Sequence, residues 1–130
     1  MVKVTLKGSY AVKPLKPTPI HRLGLSPTDQ IKPWTTETVY FYRPNGQPNF
    51  FLAETMKTAL SQALVEFYPL TGCIEKDKDG GLELNCNGKG ALFVEAESHS
   101  CIDDLGNFMP TPELSKLVPY VDYNGTQINE

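Results

Sequence analysis

The side chains best suited to proton transfer in this sequence are two histidines, His21 and His99, and they keep different company. His99 opens the run His99-Ser100-Cys101-Ile102-Asp103, which sets a carboxylate four residues after an imidazole, the two groups that general-base chemistry draws on. A lone five-residue pattern is a weak functional signal, and this one is expected to be an exposed loop. His21 follows a proline-rich stretch with no acidic residue close by in sequence, which predicts a solvated side chain. Three cysteines, Cys73, Cys86 and Cys101, are an odd number without C-x-x-C spacing, so neither a disulfide framework nor a zinc site is expected. Reduced thiols packed as small hydrophobes fit better. Gly88-Lys89-Gly90 lacks the spacing and the Ser/Thr of a nucleotide cradle. Asn124-Gly125-Thr126 has the glycosylation pattern but is expected to go unused in the absence of a secretory route.

Patterning predicts the elements that hold these residues. Val2, Val4 and Leu6 alternate with Lys3, Thr5 and Lys7, as in a half-buried strand over 2–7. Three prolines between Pro14 and Pro19 rule out helix or central strand there and make a connecting stretch. Ser26 can cap a short helical turn with Pro27 at its first position. Val39-Tyr40-Phe41-Tyr42 is β-branched and aromatic and runs into Arg43-Pro44-Asn45-Gly46, which reads as a strand and a turn.

Leu52, Met56, Ala59, Leu60, Ala63, Leu64 and Phe67 recur at helical spacing, opposite Glu54, Lys57, Thr58, Ser61 and Gln62. This amphipathic helix should end near Tyr68, because Pro69 disfavours helical geometry in the residue before it. Three extended pieces come next, Thr71 to Lys76, Leu82 to Cys86 and Ala91 to Ala96, with turns at Asp79-Gly80-Gly81 and at Asn87 to Gly90. They predict three successive antiparallel strands beside the helix, a mixed α/β layer. Beyond Ser98 the chain is turn-rich, with one short helix near Pro112 to Leu117. Val118 to Tyr123 has the look of a segment about to enter structure shortly before the chain stops at Glu130, which suggests a truncated domain.

Bulk properties exclude several function classes. A globular chain of 130 residues buries roughly two-thirds of its unfolded surface, enough for a core. With 40% apolar and 21% charged residues and a net charge of −3, it resembles neither a disordered tail nor a basic nucleic-acid binder. The N-terminus lacks a signal-peptide apolar core, and no run approaches the ~18 apolar residues of a membrane span. A soluble, cytoplasmic protein without nucleic-acid or membrane partners is expected.

Phe67-Tyr68-Pro69-Leu70-Thr71-Gly72 resembles the Y-P-L-A-G segment of the plant BAHD acyl-CoA-dependent acyltransferases. At family-like spacing the chain also carries Val39 to Pro44, Met56-Lys57-x-Ala59-Leu60-Ser61-x-Ala63-Leu64-Val65, Asp79 to Gly90 and Phe93-Val94-Glu95-Ala96-Glu97. Glu83-Leu84-Asn85-Cys86-Asn87, Glu95-Ala96-Glu97-Ser98 and Pro110-Thr111-Pro112-Glu113-Leu114 look most like the hydroxycinnamoyl transferases acting on shikimate, quinate or spermidine, with a lean toward the spermidine type.

The resemblance implies a chloramphenicol-acetyltransferase-like α/β fold, of which residues 1–130 would be the N-terminal part of the first of two domains. It implies acyl-CoA as co-substrate without a further cofactor, a hydroxycinnamoyl-CoA donor, a polar acceptor and a monomeric full-length enzyme. The family's base lies in H-x-x-x-D-G, and a D-F-G-W-G segment supports its fold. Neither occurs here: Asp104 stands where the first motif needs glycine after Asp103, and the single tryptophan, Trp34, lies in an unrelated context. No catalytic residue is therefore assigned. The resemblance places Thr36, Thr38 and Tyr40 near the acceptor end of the channel, although strand packing would equally explain Tyr40 beside Tyr42. A non-catalytic binding module derived from such an enzyme is the alternative.

Overall fold

The computed structural model describes residues 2–31 and 36–119; Trp34, Tyr120 to Tyr123 and the Asn124 sequon lie outside them. The described residues form two antiparallel sheets and one long helix. Strands β1 (Val4–Val12) and β5 (Ala91–Ser98) form a two-stranded ribbon. Strands β2 (His21–Gly24), β4 (Leu82–Cys86) and β3 (Cys73–Lys76) form a sheet in the order β2-β4-β3. Helix α1 spans Ala53–Glu66, and α2, Pro112–Ser115, is a single turn capped by Thr111.

The sheet order corrects the expectation of three successive antiparallel strands. The β3–β4 hairpin forms as patterned: Asp77 Oδ1 accepts from the amides of Asp79 (2.8 Å) and Gly81 (2.7 Å), and Gly80 takes the positive φ of 85° that the turn needs. Strand β5 then leaves this hairpin and pairs with β1, Val12 opposite Ala91. At the crossover Gly90 has φ 110°, and any Cβ there would lie 2.7 Å from the Val12 carbonyl oxygen. The free edge of β4 is taken by β2, His21 opposite Cys86, a short strand that the sequence pattern does not mark, between the connecting stretch over residues 14–19 and the Ser26 turn.

Strand β1 outruns its expected span. The register slips between Leu6 and Gly8, a bulge at Lys7. A bulge changes which face later residues occupy, so Tyr10 and Val12 do not continue the face of Val4 and Leu6. Val2 and Val12 are buried, whereas Leu6 is exposed.

Helix α1 exists where expected, but its buried side is rotated. Ala53, Lys57, Leu60, Ser61, Leu64 and Val65 are turned inward, while Leu52, Met56, Ala59, Ala63 and Phe67 are exposed. The helix meets polar groups on the segment it packs against: Ser61 Oγ donates to the Lys13 carbonyl (2.8 Å), Leu15 N–H donates to the Ser61 carbonyl (2.9 Å), and Lys57 Nζ lies 3.9 Å from the centre of the Tyr10 ring. Leu64, 2% exposed, anchors the seam, a burial that contributes about 1.5–3 kcal/mol. The α-helix stops before Pro69, and Tyr68–Thr71 tighten into a 3₁₀ turn whose Thr71 Oγ1 donates to the Tyr68 carbonyl (2.7 Å).

Val39 to Tyr42 is the second correction. A strand needs a ladder partner, and among the described residues none pairs with this stretch, which is extended and irregular. Ser26 does initiate one turn, its Oγ accepting from Asp29 N–H (3.3 Å) and donating to Asp29 Oδ2 (2.6 Å). No helix among the described residues is long and apolar enough to cross a membrane.

Candidate functional site

Thr36, Thr38 and Tyr40 lie on the irregular stretch over residues 36–45 that precedes α1, and all three are exposed, Tyr40 by 75%. None of their hydroxyls hydrogen-bonds another described residue. Such groups are open to a polar ligand. Side chains from later in the chain hold the stretch: the Phe41 ring lies 4.8 Å from that of Phe108, the Tyr42 ring 4.8 Å from that of Phe51, and Arg43 pairs with Asp103 at 2.6 Å. Arg43, by hydrogen bond first and by charge second, holds the Asp103 carboxyl below its ordinary value. These partners were not visible in the sequence, because nothing local links Arg43 to a carboxylate sixty residues away.

His99 stands exposed just after β5, as expected of a loop. Its candidate carboxylates are engaged elsewhere. Asp103 faces Arg43, and Asp104 Oδ2 accepts from the Cys101 amide (2.8 Å), closing a capping box on the 3₁₀ turn Ile102–Leu105. His99 and Ser100 help line an open concavity of about 710 Å³ with Val2, Lys3, Thr111 and Glu113. Glu113 is itself committed, accepting from Val2 N–H (2.6 Å) and pairing with Lys116 (2.7 Å). No oriented nucleophile and base emerge there.

His21 is exposed on β2 yet not merely solvated: its Nε2 lies 2.9 Å from the Tyr68 hydroxyl, with the rings 5.7 Å apart. Tyr68 opens the Tyr-Pro-Leu-Thr-Gly segment, so this contact fastens β2 to the end of α1. Beside it Arg22 bridges Glu75 (3.2 Å) and Glu83, tying the three strands at the surface. All three thiols are free; Cys86 is buried, which raises its pKa, Cys73 is half-buried and Cys101 is exposed. Among the described residues no group of three or more His, Cys, Asp or Glu side chains could hold a metal ion.

The Tyr-Pro-Leu-Thr-Gly and Asp-Gly-Gly segments thus lie in an antiparallel α/β unit whose described residues include exposed threonine and tyrosine hydroxyls and no oriented general base. Residues 2–129 match the Transferase family, and the chain belongs to this family of BAHD acyltransferases. It is similar to the shikimate O-hydroxycinnamoyltransferase of Nicotiana tabacum, 51% identical over 95% of this chain and 28% of that protein. It is also similar to a hydroxycinnamoyltransferase of Narcissus pseudonarcissus, at 47% identity over 92% of this chain and 28% of the relative. A hydroxycinnamoyl-CoA:5-hydroxyanthranilate N-hydroxycinnamoyltransferase of Avena sativa is 43% identical over 94% of this chain and 30% of its own length. The chain thus spans less than a third of the length of these curated relatives.

Proposed function

We propose that this chain forms the N-terminal part of an acyltransferase that moves a hydroxycinnamoyl group from CoA to a hydroxyl or amine acceptor, of the spermidine or shikimate/quinate kind. The observation that carries the reading is the similarity, along nearly the whole of this chain, to hydroxycinnamoyltransferases acting on both oxygen and nitrogen acceptors. In such a reaction the acceptor attacks the thioester carbonyl, a base takes its proton, a donor holds the tetrahedral oxyanion, and collapse expels the CoA thiolate. This chain holds neither the H-x-x-x-D-G base nor the D-F-G-W-G segment. Its share of the work is a wall of the acceptor pocket, where Thr36, Thr38 and Tyr40 offer exposed hydroxyls.

The same reading gives the whole enzyme a chloramphenicol-acetyltransferase-like architecture of two α/β domains about a channel. Residues 1–130 are part of the first. The enzyme is a cytoplasmic monomer that needs no cofactor beyond its acyl-CoA co-substrate and engages neither nucleic acid nor membrane. The uncovered apolar side of α1, with Met56 40% and Phe67 63% exposed, supports further polypeptide covering it and weighs against a free-standing binding module.

The test is a chimera in which this chain replaces the aligned segment of the Nicotiana relative. It should consume p-coumaroyl-CoA when a polar acceptor is supplied, and Thr38→Ala should change the ratio of kcat/KM among acceptors. The 130-residue chain alone should consume none. Acceptor-dependent turnover by that short chain, or a folded chimera with no turnover, would contradict the reading.

A further inference from the structure

We infer that Phe51, Phe108 and Asp103 form a clasp on Phe41-Tyr42-Arg43 that positions Thr36, Thr38 and Tyr40, and that these clasp residues thereby tune acceptor selectivity without touching the acceptor. The inference rests on the proposed role of those hydroxyls as an acceptor wall. Three independent observations point to it.

The first is backbone conformation. Only two non-glycine residues among those described have positive φ, Phe51 at 51° and Phe108 at 59°. A bulky side chain rarely adopts this left-handed region, and such strain persists only where surrounding contacts over-determine it. The second is where those two rings go. Phe51 meets Tyr42 and Phe108 meets Phe41, each at 4.8 Å, so both strained residues are spent on one dipeptide. They come from loops far apart in sequence, one leading into α1 and one after the Ile102–Leu105 turn. Phe50 buttresses Phe51 at 4.7 Å.

The third observation is what else could hold the stretch. Residues 36–44 make no backbone hydrogen bond to another described segment. Among the described residues their placement therefore depends on side chains: the two ring contacts and the Arg43–Asp103 pair at 2.6 Å. An exposed ion pair contributes little on its own, but here it locks the third consecutive residue of a segment already gripped at the two before it. Tyr40 directly precedes the clasp and Thr38 lies two residues farther back, so any slackening displaces the hydroxyls. Positioning at this level governs how an acceptor is presented for attack. The carboxylate of the His99-to-Asp103 run thus acts as a positioning group through Arg43.

Two measurements test this. In the 130-residue chain, backbone ¹⁵N order parameters over residues 36–42 should lie near the rigid value of about 0.85, and Asp103→Asn or Phe108→Leu should drop them below about 0.6. The exchanged pair Arg43→Asp with Asp103→Arg should restore them. In the chimera with the Nicotiana relative, Asp103→Asn should raise KM for the acceptor roughly two- to fivefold, the range a single exposed pair supports, with KM for the CoA thioester unchanged. A segment already mobile in the unaltered chain, or order and acceptor KM indifferent to both substitutions, would refute the clasp. So would a parallel change in both KM values with a lower Tm, which marks a merely structural role. An inactive unaltered chimera whose residues 36–42 remain ordered counts against the acyl-transfer reading alone.

Discussion

A Cβ placed on Gly72 would fall 2.3 Å from the backbone carbonyl oxygen of Asn85 and 3.1 Å from Cys86 Cα. Gly72 closes the Tyr-Pro-Leu-Thr-Gly segment, and its backbone is extended, with φ −95° and ψ −175°. The position therefore demands space rather than an unusual dihedral. The 3₁₀ turn lies directly against β4, and the missing side chain allows the two backbones to meet. Gly72→Ala should cost about 1–3 kcal/mol through overpacking, read as a lower urea midpoint at unchanged slope. A loss under about 0.5 kcal/mol, the scatter of ordinary surface substitutions, would mean that the two segments separate easily.

How much of the fold was legible in the sequence depended on whether the signal was local. The β3–β4 hairpin was, because Asp79-Gly80-Gly81 carries its own turn chemistry. Helix α1 was legible as an element through its spacing and the stop at Pro69, but its buried side was not. The apolar spacing centres on Met56, Leu60, Ala63 and Phe67, whereas the inward side is rotated from it toward Tyr10 and the Lys13 carbonyl, which accommodate Lys57 and Ser61. The non-local strand partners were not legible: the β5–β1 and β2–β4 ladders join residues far apart in sequence. Val39 to Tyr42 had strand composition, and composition supplies no ladder partner. At the site, Thr36, Thr38 and Tyr40 were reached only through family resemblance, while Phe51, Phe108 and Asp103 left no local trace.

The three thiols should differ in reactivity in the order of their exposure. The attacking species is the thiolate, which needs solvent access and a pKa not raised by burial. Cys86 is 1% exposed, and its burial raises its pKa; Cys101 is exposed. Iodoacetamide at neutral pH should label Cys101 first and leave Cys86 unmodified until urea unfolds the chain, as monitored by peptide mass spectrometry. Labelling of Cys86 at the rate of Cys101 in native buffer would contradict its place beneath the Gly72 turn.

Acid should release the tether between the N-terminus and α2. The hydrogen bond from Lys116 and then that from the Val2 amide hold the Glu113 carboxyl below its ordinary value of 4.5. A carboxyl lowered in the folded state stabilises it fully above the ordinary value, and the contribution disappears as pH falls through the lowered folded value. The advantage of the unaltered chain over Glu113→Gln should therefore be constant near neutrality and shrink below about pH 4.5. An NMR titration of Glu113 with a midpoint at or above the ordinary glutamate value would remove the tether from the account.

His99 should prove dispensable for turnover although its run spells imidazole and carboxylate at the family's spacing. A general base needs its imidazole held in one orientation and within reach of the proton it takes. Here Asp103 is drawn away to Arg43 at 2.6 Å and Asp104 to the Cys101 amide at 2.8 Å, so neither can orient the ring. His99 stands exposed at the rim of the concavity beside Val2 and Lys3, which Thr36, Thr38 and Tyr40 do not line. In the chimera with the Nicotiana relative, His99→Ala should leave kcat within about twofold, because removing a true general base costs about 10²–10⁴. A fall of a hundredfold or more would place the proton transfer in this chain after all, with Asp103 free to turn from Arg43 once the acceptor binds. Asp103→Asn separates the two cases: as a partner of the base it would lower kcat, and as a partner of Arg43 it shifts the acceptor KM alone.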